Sequence, residues 1–253
     1  MRERPILFTG ENVLRILRGE KTQTRRVLTM PARFHGWEPS IGSHWTPGMH
    51  DSEQDKPTLD SEGLHVEPHG SAISYENEGT YDVLPCPYGR AGDRLWVKET
   101  WRVSKKHDKT KPSELPFERG LSVAYAAGGS RSREEGGPYV TRNEIDLWNA
   151  SWMGKSRPSI FMSRWASRVL LEITDVRVER VHEISPRDAW AEGVRCECTK
   201  PTPQCAGNVD AYRRLWNEIN GGDRKKEWIT RGENETVSSP WVWCITFKPI
   251  KGG

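Results

Sequence analysis

Apolar spacing predicts two short helices with clear boundaries. Residues 11–18 place their apolar side chains on one helical face, and Gly19 follows as a C-terminal cap. Ser185 is a candidate N-cap, Pro186 suits the first helical position, and Gly193 ends this second helix. Both helices are therefore too short to form a core alone, and they must pack on other elements.

A third helix is predicted at residues 209–220, with Gly221 as its cap. Its predicted buried face consists of Tyr212, Leu215, Trp216 and Ile219.

Alternating apolar and polar residues predict strands at residues 5–8, 92–101, 160–181 and 241–247. The alternation changes phase near Thr174 and Asp175, which predicts a bulge or turn there. The segment EKTQTRRV, ending at Val27, has no apolar period and is interpreted as a loop or a strand start. Short strands separated by brief helices indicate an α+β fold with a small, mostly antiparallel barrel.

Two polar segments interrupt this pattern, at about residues 30–85 and 104–145. Both are too long for ordinary loops, so they are interpreted as insertions, the first partly irregular and the second with a strand near Val123–Ala126. The 253 residues fit one enlarged domain, 1–253.

Composition narrows the class of protein. The hydrophobic fraction is 34%, with 23 Gly and 17 Pro, as expected for a core diluted by polar loops. The net charge of +3 is too small to indicate a nucleic-acid binder by itself. We find no signal peptide or membrane span, and five cysteines suit a reducing compartment, so a cytoplasmic protein without a membrane partner is expected.

Lys21 and Thr24 form the first candidate for chemistry. They offer an amine and a hydroxyl three residues apart, beside the guanidinium groups of Arg25 and Arg26. A lysine made neutral by burial or by nearby cations can take the proton of a threonine hydroxyl. On chemistry alone, a solvated surface loop is the preferred interpretation.

Four segments together resemble the ASCH family of the PUA-like superfamily. Gly19-x-Lys21-x-x-Thr24-x-Arg26 resembles the family signature G-x-K-x-x-T-x-R, and the strand ending at Glu99 resembles its GD-x-L-x-V-x-E segment. The middle strands of residues 157–185 resemble those of larger, phage-borne members, and the closing segment WVWCITFKPI is similar to the last strand of the family. The resemblance implies a PUA-like β-barrel.

The resemblance also implies an activity, because some ASCH proteins are amidohydrolases that remove the acetyl group of N4-acetylcytidine with a Lys, a Thr and a Glu. The first two correspond to Lys21 and Thr24, and the best candidate for the third is Glu192. In this scheme Thr24 attacks the amide carbonyl, Lys21 accepts its proton, and Glu192 positions Lys21 or relays protons. The alternative roles are a turn hydrogen bond for Thr24 and a solvent-facing position for Glu192.

Five further residues are predicted to contact the substrate, with Arg26 also able to stabilise an oxyanion. They are Arg25, Arg26, Glu99, Arg164 and Trp165. The rival functions are a non-catalytic RNA-binding module, in which cations grip phosphate and indoles stack on bases, and RNA cleavage. Arg157, Arg164, Trp165 and Arg168 interleave as in RNA-binding surfaces, although ordinary strand decoration explains them equally well.

The cysteines Cys196, Cys198 and Cys205, with Cys86 elsewhere, raise the question of a metal. Three thiolates and a fourth ligand can bind zinc, but the spacing is not that of paired C-x2-C motifs. Reduced thiols without a metal or cofactor are the expectation, and a modified cytidine nucleoside or RNA is the expected partner.

Overall fold

The computed structural model describes residues 1–29, 39–40, 72–77, 80–115, 121–133, 139–221, 228, 230–231 and 237–250. It is a mixed α+β protein with many strands and few helices. The α-helices are α1 (Gly10–Leu17), α2 (Pro186–Ala191) and α3 (Gly207–Asn220).

The strands vary from two to eleven residues in length. They are β1 (Glu3–Leu7), β2 (Gln23–Val27), β3 (Pro39–Ser40), β4 (Ala72–Asn77), β5 (Thr80–Pro85), β6 (Arg94–Lys98), β7 (Trp101–Arg102), β8 (Ser122–Tyr125), β9 (Ser130–Arg133), β10 (Tyr139–Arg142), β11 (Leu170–Arg180), β12 (Thr230–Arg231), β13 (Val237–Ser238) and β14 (Trp241–Pro249).

The chain divides into two compact units, each assembled from separate stretches of sequence. The first unit comprises 1–20, 93–172 and 248–253, and the second comprises 21–92 and 173–247. A single ASCH-like domain with two insertions remains a prediction, since the division into units does not define domains of a family.

The first unit contains a sheet in which β6 lies between β1 and the start of β11. β1 pairs with β6 in parallel, and residues 170–172 of β11 pair with β6 in antiparallel orientation. Leu95 and Val97 are buried whereas Trp96 and Lys98 are half-buried. The predicted alternation along this strand is therefore confirmed.

A second sheet of the first unit has the order β10-β9-β8-β7 and is antiparallel. Gly128 and Gly129 adopt φ values of 75° and 76° between β8 and β9, a conformation that glycine reaches without steric cost. The strand predicted near Val123 is confirmed. Residues 104–145, interpreted as the second insertion, supply three strands and four of the eight buried residues of an apolar core.

That core consists of buried residues drawn from β7, β8 and the turns around them. They are Trp101, Val103, Leu115, Leu121, Val123, Tyr125, Met162 and Ala166. β9 consists of two serines and two arginines, so the spacing of apolar residues in the sequence could not reveal this strand of the sheet.

In the second unit β14 lies between β11 and β2. β14 and β2 are antiparallel, with Thr24 opposite Ile245 and Arg25 opposite Cys244. β3, β4 and β5 form an antiparallel sheet within the segment interpreted as the first insertion, whose remaining residues lie outside the described part of the chain.

The helices of the second unit, α2 and α3, pack on an apolar cluster with β14. Its buried members are Val181, Ile184, Ala189, Val194, Ala211, Tyr212, Trp216, Trp228 and Val242. Ser185 caps α2 as predicted, since its hydroxyl accepts a hydrogen bond from the amide of Asp188 at 3.1 Å.

Three details of the predicted elements are wrong. Residues 160–169 are not a strand, because single 3-10 turns at Ser159–Phe161 and Arg164–Ala166 make i to i−3 hydrogen bonds and leave Ile160 and Phe161 exposed. The turn predicted as one alternative near Thr174 is absent, because β11 continues through this residue. The change of phase that led to the prediction is present, since Ile173 and Val176 are both buried three residues apart, and it fits the other alternative, a bulge. Ile219, which was predicted to lie on the buried face of α3, is 70% exposed.

Among the residues that the structure describes, no helix combines the length and the apolar character needed to cross a bilayer.

Candidate functional site

The segment that carries Lys21 is fixed by backbone hydrogen bonds within the second unit. The amide of Thr22 donates to the carbonyl of Ala191 at 2.8 Å, and the carbonyl of Thr22 accepts from the amide of Phe247 at 2.9 Å. Ala191 directly precedes Glu192. This backbone contact therefore brings Lys21 beside Glu192 although 171 residues separate them.

Glu192 faces inward because of the way in which α2 ends. It is the C-terminal cap of α2, its amide donates to the Asp188 carbonyl, and Gly193 follows with φ 84°. The left-handed glycine turns the chain away, and Glu192 stays on the face of Ala189, one turn earlier, which is fully buried. Glu192 is only 5% exposed.

Lys21 and Glu192 form a buried ion pair. Lys21 Nζ donates to Glu192 Oε2 at 2.5 Å and to the Glu192 carbonyl oxygen at 2.9 Å, and the side chains are 4% and 5% exposed. Charge-assisted hydrogen bonds of this length are the strong ones, and they gain further in a medium of low dielectric constant. The structure thus brings two of the three predicted catalytic residues into direct contact.

Arg25 provides a second cation beside the same carboxylate. Its Nη1 lies 3.5 Å from Glu192 Oε1, and it donates to Gln23 Oε1 at 2.7 Å. Its Nε donates to Glu179 Oε1 at 2.7 Å, and Nη2 contacts the same oxygen. Arg25 was predicted to bind substrate, but its guanidinium is occupied by partners inside the protein.

Arg177 and Asp188 are half-buried and extend this network toward the surface. Arg177 donates from Nε to Glu179 Oε2 and lies with Nη2 near Asp188 Oδ2, each at 3.1 Å. Lys21, Arg25 and Arg177 thus face the carboxylates of Glu192, Glu179 and Asp188. A fourth carboxylate, that of Asp175, lies 3.7 Å from Arg177 Nη1.

The pKa values of Arg25, Cys244 and Tyr212 are shifted in this part of the protein. Burial lowers the pKa of Arg25, but the negative charges near it, Glu192 and Glu179 among them, outweigh burial and raise it overall. Burial raises the pKa of the Cys244 thiol, so Cys244 is neutral at pH 7. The negative charge that raises the pKa of Arg25 therefore comes from the carboxylates. The pKa of Tyr212 is raised by burial and by Glu192, whose Oε1 lies 3.5 Å from the phenol oxygen.

Thr24 is buried on β2, with 4% of its surface exposed, and it lies opposite the fully buried Ile245. Because side chains alternate along a strand, Thr24 and Arg26 point to the face opposite to that of Gln23 and Arg25. Lys21 precedes the strand, so alternation does not determine its direction. Lys21 is held by Glu192, and Glu192 also contacts Arg25, whose side chain leaves β2 on the face opposite to that of Thr24. The structure thus brings Lys21 and Glu192 together and directs Thr24 to the other face of the strand.

Glu99, predicted to bind substrate, belongs to the first unit and is occupied by Arg168. Arg168 donates from Nε and Nη2 to the two carboxylate oxygens at 2.9 and 3.0 Å, and both side chains are 1% exposed. Burial raises the pKa of Glu99, and Arg168 opposes that rise. The guanidinium of Arg168 also covers the ring of Tyr125 at 4.1 Å.

The predicted basic and aromatic set of residues 157–168 does not form one face of a strand. Arg164, in a 3-10 turn, donates to Glu3 Oε2 at 2.9 Å, whereas Trp165 packs edge-on against Trp101 at 6.1 Å. Arg157 is 3% exposed and donates to the carbonyls of His107 and Thr110. Arg168, the fourth member of the predicted set, is buried in its pair with Glu99.

Sequence reasoning missed four members of the network, namely Glu179, Arg177, Asp188 and Tyr212. The alternation Arg177-x-Glu179 on a strand was an available signal, since it places two opposite charges on one face. The sequence placed Tyr212 only on the buried face of the third helix, and it gave Asp188 no role in the site. Their role depends on tertiary contacts with Arg25 and Glu192.

The three cysteines between α2 and α3 lie together. Cys196 Sγ is 3.2 Å and Cys198 Sγ is 3.6 Å from Cys205 Sγ, and all three sulfur atoms lie within 4.8 Å of one another. Cys86, buried elsewhere, is not part of this group in the described residues.

A scan against models of protein families, a search of curated proteins and a search of solved structures each found no match.

Proposed function

We propose that this protein is an amidohydrolase that removes an acyl group from the exocyclic amine of N4-acetylcytidine or a related modified nucleoside. The observation that carries the proposal is the buried contact of 2.5 Å between Lys21 and Glu192. Lys21 and Glu192 lie 171 residues apart in the sequence, and only the family resemblance had linked them. In the structure they share one site beside β2, the strand that carries Thr24.

The pair supplies a route to a neutral amine. Transfer of one proton from Lys21 Nζ to Glu192 Oε2 along their hydrogen bond leaves an uncharged amine, which can act as a general base. Burial assists this transfer because two neutral groups lose less hydration than two ions. General acid and base help of this kind contributes about 10²–10⁴ in rate.

The reaction then balances with Thr24 as the nucleophile. Lys21 Nζ takes the proton of Thr24 Oγ, Thr24 attacks the acyl carbon, and Lys21 returns the proton to the leaving N4 amine. Water next cleaves the acyl ester with Lys21 again as base, which releases acetate and restores Thr24. This reaction mechanism requires Thr24 Oγ to come within hydrogen-bonding distance of Lys21 Nζ when substrate is bound.

Arg25 and its carboxylate partners have a positioning role in this proposal. Arg25 lies 3.5 Å from Glu192 Oε1, on the oxygen that Lys21 does not contact. The carboxylate is thereby held between two cations and oriented toward Lys21. The charge of Arg25 opposes protonation of Glu192, so the proton transfer requires burial of the pair to outweigh that charge. Arg26, on the same face of β2 as Thr24, is the candidate for stabilising the oxyanion.

The fold of the family belongs to the same proposal. The antiparallel pairing of β2 with β14, with β11 on the other side of β14, is compatible with part of a PUA-like barrel of the ASCH type. We propose that the chain is an ASCH-like protein, that its partner is a modified cytidine nucleoside or RNA, and that it acts in the cytoplasm.

The test is release of cytidine from N4-acetylcytidine, followed by liquid chromatography. We expect turnover by the wild-type protein and a loss of at least about 10²-fold in kcat for Thr24→Val, Lys21→Met and Glu192→Gln. Thr174→Val serves as the matched control, because Thr174 is an exposed threonine on β11 of the same unit.

Folding of each variant is checked by circular dichroism and by tryptophan fluorescence. Wild-type protein without turnover on acylated cytidines contradicts the proposed activity. Full activity in Thr24→Val or in Lys21→Met contradicts the proposed mechanism.

One observation favours non-catalytic RNA binding as a second candidate. Arg195 and Arg180 lie over the rings of Trp190 and Trp241 at 3.5 and 3.9 Å, and all four residues are half-buried. Such pairs place a cation and an aromatic face together, as single-stranded RNA sites do. Against this, Lys21 of the signature and the neighbouring Arg25 already have carboxylate partners. RNA affinity that falls steeply with salt, without turnover, would favour the second candidate.

A further inference from the structure

The connection between α2 and α3 gathers three cysteine side chains at the surface. Cys196 is 8% exposed, Cys205 is half-buried and Cys198 is exposed. The distances from Cys205 Sγ to the sulfur atoms of Cys196 and Cys198 are 3.2 and 3.6 Å. A disulfide requires about 2.05 Å between sulfur atoms, so the three residues are free thiols.

These separations suit a tetrahedral metal ion. With zinc–sulfur bonds of about 2.3 Å, two thiolates of a tetrahedral site lie about 3.8 Å apart. The two sulfur distances of 3.2 and 3.6 Å are close to that value, and all three sulfur atoms fall within 4.8 Å of one another. The fold therefore brings Cys196, Cys198 and Cys205 to separations that suit a metal ion, although their spacing in the sequence is not that of a paired C-x2-C zinc motif.

The surrounding backbone is built around the cysteines. The amide of Cys196 donates to Asn208 Oδ1 at 3.0 Å, and Asn208 Nδ2 donates to the Thr202 carbonyl at 2.8 Å. Asn208 is fully buried, so one side chain ties both ends of the cysteine loop to α3. Gly207 approaches so closely that an added Cβ would lie 3.0 Å from the Cβ of Cys196.

We propose that Cys196, Cys198 and Cys205 bind one zinc ion, with a water molecule as the fourth ligand. Three soft thiolates select zinc over magnesium or calcium, which prefer oxygen ligands. The exposed position of Cys198 leaves the fourth coordination position open to solvent. This site is separate from the chemistry proposed for Lys21 and Glu192.

The ion would hold together the two helices that flank the loop. α2 ends at Glu192, and α3 carries Tyr212, whose hydroxyl lies 3.5 Å from the carboxylate of Glu192. Zinc would thus act as a cross-link between the elements that position Glu192, and it would stabilise the folded state because it binds that state selectively.

Binding is written as Zn²⁺ plus three thiols giving a zinc trithiolate with one water and three protons released. The reduced, metal-free protein should take up about one zinc per chain and release about three protons per zinc in a weakly buffered solution. Cobalt in place of zinc should give the near-ultraviolet charge-transfer absorption of cobalt–thiolate bonds.

The variants Cys198→Ser and Cys205→Ser are expected to lower zinc affinity at least about tenfold each. Cys86→Ala is the matched control, and it should keep one zinc per chain, because Cys86 lies outside the group. The measurements are zinc content by mass spectrometry of the metal after dialysis against a competing chelator, and the shift in melting temperature on adding zinc.

Reduced protein that takes up no zinc, or a Cys198→Ser/Cys205→Ser double variant that retains it, overturns the proposal. Formation of a Cys196–Cys205 disulfide under the same reducing conditions would overturn it as well. Because the zinc measurements do not involve N4-acetylcytidine, they can fail while the amidohydrolase proposal stands, and the reverse also holds.

Discussion

Replacing Glu192 with glutamine tests the ion pair of the second unit directly. The change keeps the size of the side chain but removes a negative charge that faces Lys21 at 2.5 Å and Arg25 at 3.5 Å. The side chains of Lys21 and Glu192 are 4% and 5% exposed, so solvent cannot replace the lost partner. Removing one member of such a buried pair costs about 3–5 kcal/mol of unfolding free energy.

The structure places the expected cost near the lower end of this range, at about 3 kcal/mol. The carbonyl of Glu192, 2.9 Å from Lys21 Nζ, still accepts a hydrogen bond in the variant, and Arg25 keeps Glu179. Lys21→Met should cost less, about 1–3 kcal/mol, because Glu192 retains Arg25 and Tyr212 at 3.5 Å. The double variant should cost less than the sum, with a coupling energy of about 1–3 kcal/mol.

The assay is urea unfolding at pH 7, followed by circular dichroism and by tryptophan fluorescence, whose transitions should coincide if one free energy is to be extracted. The control is Glu11→Gln, which removes the exposed partner of Arg15 on α1 and should cost about 0.3–0.5 kcal/mol. The reasoning is refuted if Glu192→Gln costs no more than Glu11→Gln, or if the effects of Lys21→Met and Glu192→Gln are additive.

Three further predictions follow from other parts of the molecule. The pKa of Asp188 is lowered overall, since Ser185 and the nearby arginines outweigh its burial, so its folded-state pKa lies below the unfolded one. The stabilisation by the ionised Asp188 carboxylate is thus complete above about pH 4 and is lost as the pH falls. In urea unfolding, Asp188→Asn should be less stable than the wild type at pH 7, and the difference should narrow toward about pH 3. On α3, Trp216→Ala should cost about 3–5 kcal/mol and Ile219→Ala under about 0.5 kcal/mol in urea unfolding, because they are 5% and 70% exposed; equal losses would contradict the assigned face. In the first unit, Arg168→Met should lower the unfolding free energy by about 3–5 kcal/mol because it leaves Glu99 buried without this partner, and a loss below about 1 kcal/mol in the same measurement would contradict a structural role for the pair.

Local sequence signals determined the elements whose boundaries depend on near neighbours. Ser185, Pro186 and Gly193 bound α2 as their cap chemistry predicts, and the alternation of Leu95 and Val97 locates β6. Segments without such signals were misread. The residues of 160–169 contain apolar side chains but form 3-10 turns, and the polar β9 conceals a sheet.

In the candidate site, too, some features follow from local sequence and others depend on tertiary contacts. A motif resemblance in the sequence was enough to nominate Lys21, Thr24 and Glu192, because it depends only on residue type and spacing. It could not show that Arg25 is neutralised by Glu179 or that Glu99 is paired with Arg168, because charges far apart in sequence meet only through tertiary packing.

By itself the sequence determined cap positions, strand alternation and the residue types available for chemistry, since these depend on covalent geometry and short-range contacts. Only the tertiary structure decided which charges are buried together, which apolar residues remain exposed, and that three cysteines of a loop converge. Burial and charge pairing are properties of the folded chain, since they depend on which distant segments exclude water from one another.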